Sequence, residues 1–76
     1  MRALEILVHD REKRPRADVL VEAHVGGVLQ LRVTNELGIA QFAVPDTEMA
    51  TIVVDGVELR YALNHAGSVC RIAIGR

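Results

Sequence analysis

A chain of 76 residues, half of them hydrophobic, with nine Lys plus Arg against ten Asp plus Glu, has room for one domain and one thin core. Its formal net charge of −1 excludes a global field that would draw in nucleic acid or anionic lipid, so any such binding has to be local. The single cysteine, Cys70, excludes an internal disulfide and favours a reducing compartment.

Only Phe42 and Tyr61 are aromatic, so the interior must be built from Val, Leu, Ile and Ala. So small a core stands against about 1–2 kcal/mol of backbone entropy per ordered residue, and self-association or a docked partner is the expected remedy. The stretch from Met1 to Asp10 is interrupted by Glu5 and reads as neither signal peptide nor membrane span. With no address to read, the expected location is cytoplasmic.

Leu4, Ile6 and Val8 recur with a period of two, which predicts a first strand over residues 2–9 with one face on the core. Charged residues fill Asp10 to Arg16, and Pro15 removes a backbone donor, so this stretch is a loop. Alternation resumes over Ala17 to Val25, with Val19, Val21, Ala23 and Val25 on one side. Gly26-Gly27 supplies the positive φ angles of a tight hairpin, so Val28 to Thr34 is expected to pair antiparallel with the preceding strand. In that third strand Leu29, Leu31 and Val33 are assigned inward, Gln30 and Arg32 outward.

Asn35-Glu36-Leu37-Gly38 forms the next reversal, and Ile39 to Val44 is the fourth strand, with Ala40, Phe42 and Val44 on the core side. Pro45-Asp46-Thr47-Glu48 ends it. Asp55-Gly56, a strong hairpin signal, joins Thr51–Val54 to Val57–Leu63. Asn64-His65-Ala66-Gly67 leads into Ser68 to Gly75, where Cys70, Ile72 and Ile74 share a face and Cys70 reads as a small buried apolar residue. Seven short strands at intervals of about 8–12 residues suit a single all-β sandwich or a partly open barrel.

Chemistry-bearing residues are sparse. Arg11, Lys13, Arg14 and Arg16 crowd one loop against Glu12 alone and form a candidate anion-binding cluster. No aromatic residue is interleaved for base stacking, and Asp10 and Asp18 bracket the cluster, which disfavours nucleic acid. His9, His24 and His65 lack zinc-ligand spacing, and no nucleophile elbow, phosphate loop or carboxylate pair is present, so no catalytic residue, metal or cofactor is assigned. Sugar binding uses aromatic platforms, and only Tyr61 is available if Phe42 is buried. Leu7, Leu20, Ile39, Ile52 and Val54 fall opposite the inward rows and form a candidate apolar interface.

Two stretches carry a family resemblance. Pro15, Ala17, Val19 and Val21, followed by Thr34, Asn35, Gly38, Phe42 and Pro45, are similar in order to a Gly-x-Pro-x-x-Gly-Ala-x-Val-x-Val stretch and a later Thr-Asp-x-x-Gly-x-x-x-Phe with a proline. Those patterns belong to the transthyretin-like (prealbumin-like) sandwiches, especially the carboxypeptidase regulatory-like domains. Lys13 and Arg16 stand where that pattern has glycines, and Asn35 where it has aspartate. The resemblance implies a seven-stranded antiparallel Greek-key β-sandwich and a spacer, adhesion or binding role without catalysis. In the hydroxyisourate hydrolase branch a Tyr-Arg-Gly-Ser run closes the chain; here the last residues are Ala73-Ile74-Gly75-Arg76, and only His9 resembles that branch.

The expectation is therefore a non-catalytic, cytoplasmic module whose partner is itself or another protein chain. Anion binding through residues 11–16 is the alternative, and a small hydrolase the weakest reading.

Overall fold

In the computed structural model the described residues are 2–45, 49–62 and 68–75, with Arg2 and Ser68 described in backbone only. They form β1 (Arg2–His9), β2 (Leu20–Val25), β3 (Val28–Val33), β4 (Ile39–Val44), β5 (Met49–Val54), β6 (Val57–Ala62) and β7 (Ser68–Ala73). Three strands in the order β4-β1-β7 make one sheet and four in the order β3-β2-β5-β6 make the other. The all-β, two-sheet architecture expected of a β-sandwich is present.

The sheets are not antiparallel throughout. β1 pairs antiparallel with β4 but parallel with β7, Leu4 lying opposite Ser68 and Val8 opposite Ile72. Hairpin signals report only on strands adjacent in sequence, and β1 and β7 are separated by the rest of the chain.

Turn chemistry fixes the four-stranded sheet. Gly26 and Gly27 sit at φ 59° and 78°, Asp55 and Gly56 at 51° and 76°, the paired positive angles of two-residue type I′ turns. The first places Val25 opposite Val28, the second Val54 opposite Val57. At the third reversal Gly38 donates to Asn35 O at 2.9 Å, and Asn35 Oδ1 accepts from the N–H groups of Leu37 and Ile39 at 2.9 and 3.1 Å.

β2 begins at Leu20 rather than Ala17, because Asp18 takes φ 59° and breaks the extended run. β5 begins at Met49, two residues before the expected Thr51, and β7 ends at Ala73 although Ile74 remains buried. Leu63, the turn 64–67 and residues 46–48 lie outside the described residues.

Between the sheets, Leu4, Ile6, Val8, Ala40, Phe42, Val44, Cys70, Ile72 and Ile74 meet Val21, Ala23, Val25, Ala50, Ile52 and Val54. Burying a Val, Leu, Ile or Phe side chain contributes about 1.5–3 kcal/mol, so these rows dominate the stability of the domain. Among the described residues Thr34 is the buried polar side chain; it donates to Arg16 O at 2.7 Å and accepts from Val19 N at 3.0 Å. Thr34 thereby pins the 10–19 segment to the end of β3.

The inward assignment of Leu29, Leu31 and Val33 is overturned. Across β2–β3, the buried Val21, Ala23 and Val25 oppose Arg32, Gln30 and Val28, so the inner row of β3 is Val28, Gln30 and Arg32. Gln30 Nε2 donates to Ala43 O at 2.7 Å, and the Arg32 guanidinium lies 5.8 Å from the Phe42 ring centroid. β3 is an edge strand, and these polar inner side chains roof the end of the core where the sheets part.

Candidate functional site

The five residues expected to form one apolar interface are separated by the fold. Leu7 and Ile39 are cross-strand partners on the outer face of the three-stranded sheet, both half-buried. Leu20 lies on the outer face of the other sheet. Ile52 and Val54 are in the core, opposite Ala23 and Val21. The run Thr51-Ile52-Val53-Val54 is apolar enough in either phase, and only its pairing with β2 sends Ile52 and Val54 inward.

The residues that replace them are those misassigned to the interior. On the outer face of β2–β3, Leu20 lies opposite Val33, Glu22 opposite Leu31 and His24 opposite Leu29. Leu20, Leu29, Leu31 and Val33 are 52%, 52%, 48% and 56% exposed, a continuous apolar strip along a sheet edge that is unpaired among the described residues. The signal was in the sequence. A two-residue Gly26-Gly27 loop puts Val25 opposite Val28, and counting outward from there puts Leu29, Leu31 and Val33 on the face of His24, Glu22 and Leu20.

The basic loop is built around Asp10. Its Oδ1 accepts from the N–H groups of Glu12 and Arg14 at 2.8 and 3.0 Å, its carbonyl accepts from Lys13 N at 3.1 Å, and its N–H donates to Arg14 O at 2.9 Å. Arg14 is ion-paired with Glu12, and its Nε lies 3.7 Å from Asp10 Oδ2. The four cations do not converge as the sequence reading expects. Arg11 lies against Gly75, and Arg16 lines a cleft of about 480 Å³ together with Asp18, Glu22 and Asp55. An ordered turn with its own carboxylates neutralises one cation and points the others apart.

Lys13 belongs to a different groove. Held at φ 66°, a conformation rare for a residue with a side chain, it lines a hollow of about 290 Å³ with His9, Arg71, Leu7, Pro15 and Leu37. His9 Nδ1 lies 2.7 Å from the Asp10 carbonyl, which can only accept, so Nδ1 donates in this bond and Nε2 is left without a bond to that carbonyl. Among the described residues, basic groups and apolar walls line this hollow without a carboxylate.

The histidines are not brought together: β1 with His9 and β2 with His24 lie in different sheets, both side chains on outer faces, and His65 is outside the described residues. Among the described residues no three His, Cys, Asp or Glu side chains are grouped to hold a metal. Tyr61, the one candidate sugar platform, is half-buried, with its hydroxyl engaged by Val69 O at 2.5 Å. Cys70 is buried, and that burial raises its thiol above the ordinary value of 9.0. No helix among the described residues is long and apolar enough to cross a membrane.

No protein-family model matches the chain, and no curated protein matches it in sequence. Among solved structures it is similar to the Bacillus anthracis TIE protein, with a TM-score of 0.70 and 20% identity over 96% of this chain. The match covers 16% of the length of that protein. At this identity the likeness is one of fold, and it agrees with the two-sheet β-sandwich.

Proposed function

We propose that this chain is a non-catalytic protein-contact module that associates with copies of itself through the exposed edge and outer face of β3. The observation that carries this reading is the strip Leu20, Leu29, Leu31 and Val33, half-exposed on a sheet edge that has no neighbouring strand among the described residues. Solvent-facing rows of an edge strand ordinarily carry charge, because an apolar row beside unpaired N–H and C=O groups is a template for another strand. The same reading takes the fold as transthyretin-like. The two stretches that carry that resemblance pack on each other: Thr34 bonds the segment at Arg16 and Val19, and a Cβ on Gly38 would lie 3.2 Å from Pro15 Cβ. A cytoplasmic setting suits a single buried thiol.

Sedimentation velocity over a wide concentration range tests the proposal. A concentration-dependent dimer is expected, and Leu31→Lys is expected to abolish it while leaving the thermal transition within a few degrees. A wild-type chain that stays monomeric at the highest attainable concentration overturns self-association. A dimer unaffected by Leu31→Lys moves the contact elsewhere.

A second reading is favoured by the hollow between β1, β7 and the 10–16 loop. His9, Lys13 and Arg71 around Leu7, Pro15 and Leu37 suit an anion with an apolar body, such as a medium-chain carboxylate. Titration with octanoate, followed by amide shifts at Leu7 and Leu37, should show binding that weakens with salt and is lost in Arg71→Glu. Unchanged shifts at low salt eliminate this site.

A further inference from the structure

We infer that two copies of the chain join by antiparallel pairing of β3 with β3, with Leu31 on the molecular two-fold, to make one eight-stranded sheet. This rests on the reading of β3 as the contact surface and specifies its partner and register.

The direction of the edge groups is set by the structure. Thr34, just past β3, points both its backbone groups at the strand side it shares with β2: its N–H donates to Val19 O at 2.9 Å and its carbonyl accepts from Asp18 N at 3.0 Å. In an antiparallel ladder alternate residues exchange both bonds with the same neighbour. Arg32, Gln30 and Val28 therefore face β2, and Val33, Leu31 and Leu29 turn their N–H and C=O to the open edge. The Leu31 carbonyl agrees, since it is met not by β2 but by the Arg32 guanidinium at 2.7 Å.

Symmetry then restricts the register. A two-fold relating adjacent antiparallel edges stands perpendicular to the sheet and leaves every side chain on its own face. Directly opposed residues share a face, so the axis must pass through a residue opposite its own copy and never between two positions. With Leu31 on the axis, Leu31 faces Leu31 and Leu29 faces Val33 in both directions. Every outward-turned N–H and C=O of the strand then finds a partner, and an apolar row crosses the junction. On the inner face Gln30 meets Arg32, which opposes no like charges.

The alternatives are worse on the same grounds. An axis on Gln30 puts Val33 opposite Gly27 in the hairpin turn, and an axis on Leu29 puts Leu31 there. An axis on Arg32 opposes two guanidinium groups. In the favoured register Arg32 must release the Leu31 carbonyl, whose place is taken by the N–H of Leu31 from the second copy.

Joining two six-residue edges with half-exposed leucines removes on the order of 1,000 Å² from water, near the lower limit for a specific interface, so a weak, reversible dimer is expected. Charge supports a copy of the same chain as the occupant: the strip itself is uncharged, and the chain's net charge of −1 gives little repulsion between copies.

Hydrogen exchange on the unmodified protein is the direct test. At concentrations where the dimer forms, the amides of Leu29, Leu31 and Val33 should gain at least ten-fold protection over the monomer, while Gln30 and Arg32, already bonded to β2, should change little. Mild oxidation provides a second readout in a Cys70→Val background: Leu31→Cys alone should yield a disulfide-linked dimer. Leu29→Cys alone should not, but should link to Val33→Cys when the two are mixed. A dimer that forms without these amide changes, or in which Leu29→Cys links to itself, overturns the register and leaves self-association standing. Absence of any dimer by sedimentation removes both.

Discussion

The phenol of Tyr61 donates to the carbonyl oxygen of Val69 at 2.5 Å, tying β6 of the four-stranded sheet to β7 of the three-stranded one. Ile74 N donates to His9 O at 2.9 Å, so alternate residues of β7 face β1 and Val69 faces the open edge. The bond therefore caps an edge carbonyl and ties the two sheets together along one side of the sandwich; at the β3 edge the Arg32 guanidinium caps the Leu31 carbonyl within its own strand.

Tyr61→Phe keeps the ring on the core and deletes only this bond. The expected loss is about 1 kcal/mol, or a fall in Tm of about 4–8 °C for a domain of this size. Thermal denaturation followed by circular dichroism checks it; an unchanged Tm means that the hydroxyl bonds water equally well.

Thr34 supplies a sharper contrast. Thr34→Val preserves shape but strands the N–H of Val19 and the C=O of Arg16, with an expected loss of about 2–4 kcal/mol. Thr34→Ser keeps the hydroxyl and should lose about 1 kcal/mol for the missing methyl. Urea denaturation of the pair separates the two terms, and equal losses would show that the bonds contribute nothing.

Glycines with the same φ should differ in tolerance. Gly27 at φ 78° has open space around a would-be Cβ, so Gly27→Ala should lose only the left-handed backbone penalty, about 1–2 kcal/mol. Gly38 at φ 75° would place that atom 2.4 Å from the carbonyl oxygen of Val8, so the β1 backbone must move and Gly38→Ala should lose about 3 kcal/mol or more. Equilibrium unfolding of both variants gives the comparison.

Cys70 makes stability fall at alkaline pH. Burial holds its folded pKa above the ordinary 9.0, so the folded chain keeps a proton that the unfolded chain releases. Its contribution is complete below about 9 and declines as pH rises through the window between the two values. The difference in unfolding free energy between wild type and Cys70→Val, measured from pH 7 to pH 10.5, should shift in favour of the variant at the alkaline end. A flat difference would mean that the thiol is as hydrated in the native state as in the unfolded chain.

Local chemistry made much of the fold readable. Gly26-Gly27 and Asp55-Gly56 favour hairpins because they readily take the paired positive φ of a type I′ turn, whose twist matches that of the flanking strands, and both occur as expected. Period-two alternation placed Leu4, Ile6, Val8, Val21, Ala23, Val25, Ala40, Phe42, Val44, Cys70 and Ile72 correctly, because each lies on a strand with one face on the core. What alternation cannot carry is which strands share a sheet and which are edges. Leu29, Leu31 and Val33 look like a core row by themselves; they face water because β3 inherits its phase from β2 and ends the sheet. Ile52 and Val54 went the other way, in a run apolar in both phases, until pairing with β2 decided it. Leu7 and Leu20 were parted for the same reason, on opposite outer faces of a sandwich in which distant contacts decide how β1 and the two hairpins are shared between the sheets. Turns and periodicity are short-range and written residue by residue; sheet membership and edges come from packing the whole chain, and the candidate contact surface is made of them.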